Sequence, residues 1–354
     1  MQNNTLTRLF PVIRTREIVM TDIRNNKALS ATFDNWQDYQ QELFLDICTG
    51  AKGVKMLFDP YFKEIFNPET DSNRLSKLLS VILGIRVTVK DVLPNDSTRL
   101  GDESSLIITD IVVELEDGSI ANVEVQKIGY AFTGERASCY SADLLLRQYK
   151  RVRDKRKEKF SYKDIAPVYT IVFMEKSPAI FYDYPNICMH KFSTTSDTGL
   201  KLNMLQNFIF VPIDIFLGKL HNEGINSEFD AWLTFLGCDD PKYIVDLIQK
   251  YPYFKDLYSH LYETCRNTER MMNMFSKELQ ILDRNTVKYM IDELQEELDT
   301  TKEELDTTKE ELDTTKEELD TANATIAEKD VALAEKDALI AELKAQLKSQ
   351  NNNQ

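Results

Sequence analysis

An α/β fold followed by one long heptad helix is what the pattern of this chain predicts, and three observations carry that reading. Leu106–Leu115 and Ile120–Ile128 are two β-rich runs separated by Glu116-Asp117-Gly118, a hairpin signal with Gly available for positive φ. An amphipathic helix and a strand precede this ribbon. A helix and a strand follow it, giving the order helix, three strands, helix, strand of an α/β sandwich. From Glu296 onward the text becomes a seven-residue repeat, a period that implies a left-handed supercoil.

Residues 1–54 form an N-terminal cap, helical around Trp36 to Cys48. No chemistry can be assigned to it from its residues. The first core helix begins at Asp71 or Ser72, both good N-caps. It carries Leu75, Leu78, Leu79, Ile82 and Leu83 on one side and stops before Gly84. Ile85–Leu93 reads as a strand and Pro94-Asn95-Asp96-Ser97 as a turn. After the ribbon, Arg136 to about Lys150 is a helix and Val168–Met174 a strand. His190–Phe192 and Asn207–Pro212 are expected as extra strands at the sheet edge. Helical spacing then takes over at Phe229–Leu236, Pro241–Gln249, Phe254–Arg266 and Met271–Asp283. The Met271-Met272-Asn273-Met274-Phe275 cluster suits core filling. The expected divisions are 55–222 for the α/β domain, 223–290 for a helical subdomain, 291–348 for the coiled coil and 349–354 for a disordered end.

Composition narrows the function. Five scattered cysteines, none in CxxC spacing, favour reduced thiols in a cytoplasmic protein over disulfides or zinc. His190, His221 and His260 lie apart, which disfavours His-based nucleases, Cys–His hydrolases and HExxH metalloproteases. There is no leader-like start and no apolar run of membrane-spanning length, so no membrane partner is expected. The net charge of −15 argues against nucleic acid only superficially. Residues 291–348 hold 19 acidic and 7 basic residues, a balance of −12, so the remaining chain is close to neutral.

Within the ribbon, Glu124 and Gln126 share one face while Val123 and Val125 take the other. Asp110 is a carboxylate in an otherwise apolar strand, an expensive place for an uncompensated charge. A two-residue loop would set Asp110 opposite Val125. A three-residue loop with Gly118 left-handed in a bulge sets Leu115 opposite Ser119 and Asp110 opposite Glu124. Opposed side chains lie roughly 5 Å apart at Cβ. Two carboxylates at that separation repel unless a divalent cation lies between them. The second register is therefore preferred.

These residues resemble a known signature. Asp110 followed by Glu124-Val125-Gln126 is similar to the D…(D/E)xK pattern of PD-(D/E)xK nucleases, with Gln126 where Lys usually stands. Phe62-Lys63-Glu64-Ile65-Phe66 and Leu75-Ser76-Lys77-Leu78-Leu79-Ser80-Val81-Ile82-Leu83 resemble the opening of the recombination-promoting nuclease and transposase group; Asp117-Gly118 before Glu124-Val125-Gln126, then Arg136, Tyr140 and Gln148 on a helix and the strand Pro167–Phe173, extend the resemblance. The resemblance spans about residues 55–290. It implies a restriction-endonuclease-like core and Mg²⁺-dependent hydrolysis of DNA phosphodiesters, with Mn²⁺ as a substitute ion, in a transposition or recombination setting. Asp110, Glu124 and the Val125 carbonyl would be the metal ligands. Asp110, Glu124 and Gln126 would be the catalytic set. Gln126 can orient a water but supplies no charge, so slower turnover or heavier reliance on the metal is implied. Lys127 points to the opposite face. Glu69 is a weaker candidate for a further acidic residue. A relative that has lost catalysis, keeping only DNA binding or assembly, and a coiled-coil scaffold are the rival readings.

Arg147–Lys159 holds eight basic and two acidic residues. Arg147, Lys150, Arg151, Arg153, Lys155, Arg156 and Lys157 are candidates for the DNA backbone; a solvated helix end is the plain alternative. Tyr140 could support the site or simply pack, and Gln148 is the better supporting candidate. In the tail, Leu298, Leu305, Leu312, Leu319, Ile326, Leu333 and Ile340 stay in heptad phase. The second seam position is Thr301, Thr308, Thr315, Ala322, Lys329, Lys336 and Leu343. A parallel homodimer and a solvated helical extension both fit so weak a zipper.

Overall fold

The computed structural model describes residues 5–93, 111–126 and 134–351. They divide into two compact units, 1–285 and 286–354. The first opens with four helices, α1 (Thr5–Leu9), α2 (Arg16–Asn25), α3 (Lys27–Asp34) and α4 (Asp38–Cys48). Next come α5 (Asp59–Ile65) and α6 (Pro68–Leu83). The sheet is built from β1 (Val89–Val92), β2 (Ile111–Leu115), β3 (Ile120–Gln126), β4 (Val168–Met174), β5 (His190–Ser193) and β6 (Gln206–Pro212), with α7 (Gly134–Arg156) crossing between β3 and β4. Then follow α8 (Ile213–Glu223), α9 (Glu228–Gly237), α10 (Pro241–Lys250), α11 (Tyr253–Cys265) and α12 (Thr268–Asn351).

Local chemistry accounts for the helix starts. Asn67 caps a first short turn of α6 by accepting from Glu69 N at 2.9 Å. The chain then leaves helical geometry at Asp71 (φ −156°, ψ 95°), whose Oδ1 accepts from Asn73 N at 3.0 Å and caps the longer run. That run buries Leu75, Leu78, Leu79 and Ile82 and ends at Gly84 with φ +74°.

The strand order is β1-β2-β3-β4-β6-β5. The first three strands are antiparallel; β3, β4 and β6 run parallel; β5 closes the far edge antiparallel. The strand at 206–212, expected at the edge, is therefore interior. Its apolar residues explain the place: Ile209 and Val211 go into one core, while Phe208 and Phe210 face the other side. The edges are β1 and β5, both with exposed residues.

Alternation along the strands splits the sheet into two faces of different character. Val113, Leu115, Ala121, Val123, Ile171, Phe173, Ile209 and Val211 point into the main core with α5, α6 and the later helices; Phe62 and Phe173 have ring centroids 6.5 Å apart. The opposite face is covered by α7. There Leu144 meets Val112, Ile120 and Val168, and Ala137 and Tyr140 meet Val172, Met174 and Phe210.

Residues 5–54 share the main core with the later helices. Phe10 lies 4.9 Å from Tyr262, and Trp36 5.1 Å from Phe275, between ring centroids. Gly53 N donates to Asp239 O at 2.7 Å, an approach so close that a Cβ at residue 53 would meet Ile244 Cδ1 at 2.2 Å. Met271, Met272, Met274 and Phe275 are buried, as expected of core filling. The described residues of the second unit, 286–351, all belong to α12.

Candidate active site

The hairpin sets the site. Gly118 adopts φ +86°, Gly118 N donates to Leu115 O at 2.9 Å, and Leu115 N donates to Ser119 O at 2.8 Å. Asp117 Oδ1 accepts from Ser119 N at 2.9 Å and stiffens the turn. The paired residues are Glu114↔Ile120, Val113↔Ala121, Val112↔Asn122 and Ile111↔Val123. This is the three-residue-loop register. Asp110 lies outside the described residues, as does Lys127.

Glu124 sits on the face covered by α7 and is only 1% exposed. Its Oε1 accepts from Asn122 Nδ2 at 2.9 Å; Asn122, two residues back, shares that face and is fully buried. Glu124 pairs with Val172 of β4, and half-buried Gln126 with Met174. Because Val172 and Met174 contact Ala137 and Tyr140, the N-terminal half of α7 covers this end of β3. Arg136 reaches Tyr140 Oη with Nε (3.0 Å) and Nη2 (2.7 Å), so the sequence-flagged Arg136 and Tyr140 form one pair beside Glu124's neighbours. Tyr140 therefore both packs and anchors a cation.

The same layer holds buried polar atoms without hydrogen-bond partners among the described residues: Asn122 Oδ1, Thr170 Oγ1 and Ser141 Oγ. Asn122 and Thr170 are cross-strand partners. Each orphaned group costs about 1–3 kcal/mol, which a purely structural layer would avoid. Asn122 was not singled out by sequence. Its signal was available, since a polar residue two before Glu124 on one strand must share its face.

Gln148, at the far end of α7, donates from Nε2 to Gly118 O (3.2 Å) and accepts at Oε1 from Ala166 N (2.9 Å). It thus pins helix, hairpin turn and the start of β4. α7 consequently runs antiparallel to β3. The basic run, which begins at Arg147, stands at the turn end, roughly 20 Å from Glu124 at ~3.3 Å per strand residue. Several of its cations have acidic or aromatic neighbours: Arg147 lies 2.5 Å from Asp143, Arg151 2.9 Å from Glu114, Arg156 3.2 Å from Asp164, and Arg153 donates to Tyr149 Oη at 2.8 Å. Lys150, Lys155 and Lys157 are exposed. A cleft of about 660 Å³ opens here, lined in part by Lys90, Arg151, Lys155, Asp117 and Glu114. Glu69 is exposed at the start of α6, whose apolar side packs into the other core.

Among the described residues no three His, Cys, Asp or Glu side chains converge as a metal cluster, and no helix is long and apolar enough to cross a membrane. The donors at the Glu124 end are nevertheless of one chemistry. A carboxylate held by an amide, with a strand-end carbonyl beside it, fits a hard cation.

No curated protein and no solved structure matches the chain. A family model, PD-(D/E)XK nuclease family transposase, matches residues 56–292, which takes in the sheet, α7 and the helices that follow. That match covers well over half of the sequence, and with it the chain belongs to the PD-(D/E)XK nuclease family transposases.

Proposed function

We propose that the protein is a metal-dependent DNA endonuclease acting in transposition or recombination, with its centre at the Glu124 end of the ribbon. The observation that carries this reading is the hairpin register. Were the pairing to continue by one residue beyond Ile111↔Val123, Asp110 would stand opposite Glu124, the residue that lies beneath α7. Asp110, Glu124 and the Val125 carbonyl would then hold Mg²⁺ or Mn²⁺. Such an ion, when bound, stabilises charge on the phosphoryl and leaving oxygens and lowers the pKa of an attacking water. Asn122 holds the Glu124 carboxylate in place. Gln126 orients the water through its amide without adding charge, and Arg136, anchored on Tyr140, is a cation on the helix half that covers this end. The exposed lysines near the hairpin turn would meet the DNA backbone away from the cut. The setting is cytoplasmic, with no membrane partner, and the tail joins two copies.

Gln126 in place of an ammonium favours one second reading, a nuclease-like DNA-binding protein without turnover. Nicking of supercoiled plasmid by the purified chain separates the two. Mg²⁺-dependent nicking that EDTA stops, and that Asp110→Ala and Glu124→Gln each remove, is expected. DNA binding without any nicking in Mg²⁺ or Mn²⁺ would establish the second reading.

A further inference from the structure

The long helix carries an uncovered apolar stripe. Leu298, Leu305, Leu312, Leu319, Ile326, Leu333 and Ile340 recur every seven residues and are 47–60% exposed. The proposed function assigns two copies to this stripe without orientation or alignment. Resting on that dimer reading, we infer that the second unit is a parallel, in-register, two-stranded coiled coil of two copies of this chain.

The flanking charges select the orientation. With the leucines at a, the flanking g positions are Glu304, Glu311 and Glu318, and the flanking e positions are Lys302, Lys309 and Lys316. In a parallel pair each g faces the e of the next heptad on its mate, so Glu304 meets Lys309 and Glu311 meets Lys316, each twice by symmetry. Laying repeat on repeat antiparallel sets Glu against Glu and Lys against Lys. In the single chain, Lys309 and Lys316 lean on Asp306 (3.3 Å) and Asp313 (3.4 Å). Those pairs are highly exposed and worth little, so the ammonium groups are available to a mate.

The d positions fit the same arrangement. Thr308 and Thr315 donate their hydroxyls to Glu304 O and Glu311 O at 2.8 Å, leaving the methyl groups for the seam. Lys329 and Lys336 also fall at d, each followed at e by an aspartate, Asp330 or Asp337. Next to a parallel mate, each lysine lies beside the partner copy's aspartate. Its long stem reaches the open edge of a two-stranded seam, which a third strand would close.

The alignment is set beyond the repeats. Because 296–302, 303–309 and 310–316 are identical, that part alone tolerates a slip of one heptad. A slipped pair, however, lays Leu343 against Lys336 and Ala322 against Lys329. Only zero offset matches Leu343 with Leu343. Parallel alignment brings residue 286 of both copies to one end of the stalk.

The test uses the full chain with Cys139→Ser, which removes the one exposed cysteine, plus Leu305→Cys. Sedimentation equilibrium is expected to give twice the chain mass, and mild oxidation a 305–305 disulfide in most of the population. Adding Lys309→Glu and Lys316→Glu is expected to weaken self-association about tenfold or more. Association should return on mixing with a chain carrying Glu304→Lys and Glu311→Lys. A monomer, or a higher oligomer, overturns the dimer reading itself. A dimer that forms no 305–305 disulfide overturns the orientation, and cross-links between Leu305→Cys and Leu312→Cys chains at equal yield overturn the alignment.

Discussion

The two faces of one sheet differ in what they bury: both hold apolar clusters, but only the face under α7 sets polar side chains of the central strands among them. On the face toward α6 and the later helices, β2, β3 and β4 contribute Val113, Ala121, Val123, Ile171 and Phe173, all apolar and all fully buried. On the face under α7 the same strands contribute Asn122, Glu124 and Thr170, equally buried, two of them with orphaned polar atoms. Burial is therefore not what separates them; satisfaction is. The first face is there to hold the fold. The second keeps polar groups in a dry place at a cost in stability.

The largest effect that would sharpen this contrast is on the first face. Phe173→Ala should cost about 3–5 kcal/mol of unfolding free energy, measured by denaturant titration. A loss below about 1 kcal/mol would mean that this core is not the main store of stability.

The next effect distinguishes the two ends of the second face. Gln148 is 1% exposed and satisfies both Gly118 O and Ala166 N. Gln148→Ala leaves those two backbone groups unpaired, and about 2–4 kcal/mol of destabilisation is expected. Asn122→Ala, at the other end, should instead lower metal affinity about 10–100-fold, read by calorimetry with Mn²⁺, because its amide positions the Glu124 carboxylate. Should Asn122→Ala leave ion binding intact, the assignment of the Glu124 end would fail independently of any DNA assay.

These two residues also mark what could be read from sequence. The hairpin register was legible because period-2 alternation and a Gly at the bulge leave two alternatives, and only one groups the polar residues. The end of α7 that meets the site was not. Most of Arg147–Lys159 forms the last part of the helix flagged for the site, but the residues alone do not say whether that helix brings its start or its finish to a given strand end. The contact of Gln148 with Gly118 settles it. That Asn122 shares the face of Glu124 follows from strand alternation, but an isolated polar residue within a β run is ordinarily an exposed position, and its burial shows only in the tertiary structure. The role of residues 5–54 was equally illegible: their aromatics find partners about 240 residues away, such as Trp36 with Phe275, and no local pattern encodes that.

Thiol chemistry follows the same division. Cys48, Cys188, Cys238 and Cys265 are buried in the main core, while Cys139 is exposed on α7. Desolvation pushes the Cys238 thiol up to about 11 and the Cys265 thiol up to about 12. A raised pKa leaves even less thiolate at pH 8 than an ordinary cysteine has, so these groups are slow nucleophiles twice over. One fast equivalent of a thiol reagent per native chain is expected, lost in Cys139→Ser. A second fast equivalent would show that the main core opens readily.

The smallest effect bears most directly on the contrast between the faces, because its sign is unusual. Thr170 is fully buried and its Oγ1 has no partner among the described residues. Exchanging it for valine keeps the shape and removes the orphaned hydroxyl, so Thr170→Val should stabilise the protein by about 1 kcal/mol. One residue along the same strand, Ile171 points into the apolar core. There the converse exchange, Ile171→Thr, should destabilise by more than that amount, since it buries a hydroxyl and deletes a methylene. Stabilisation at one position and loss at its neighbour is the expected pattern in thermal unfolding. If both variants lose stability alike, the hydroxyl of Thr170 has a partner in solution, and the α7 face is an ordinary hydrogen-bonded layer.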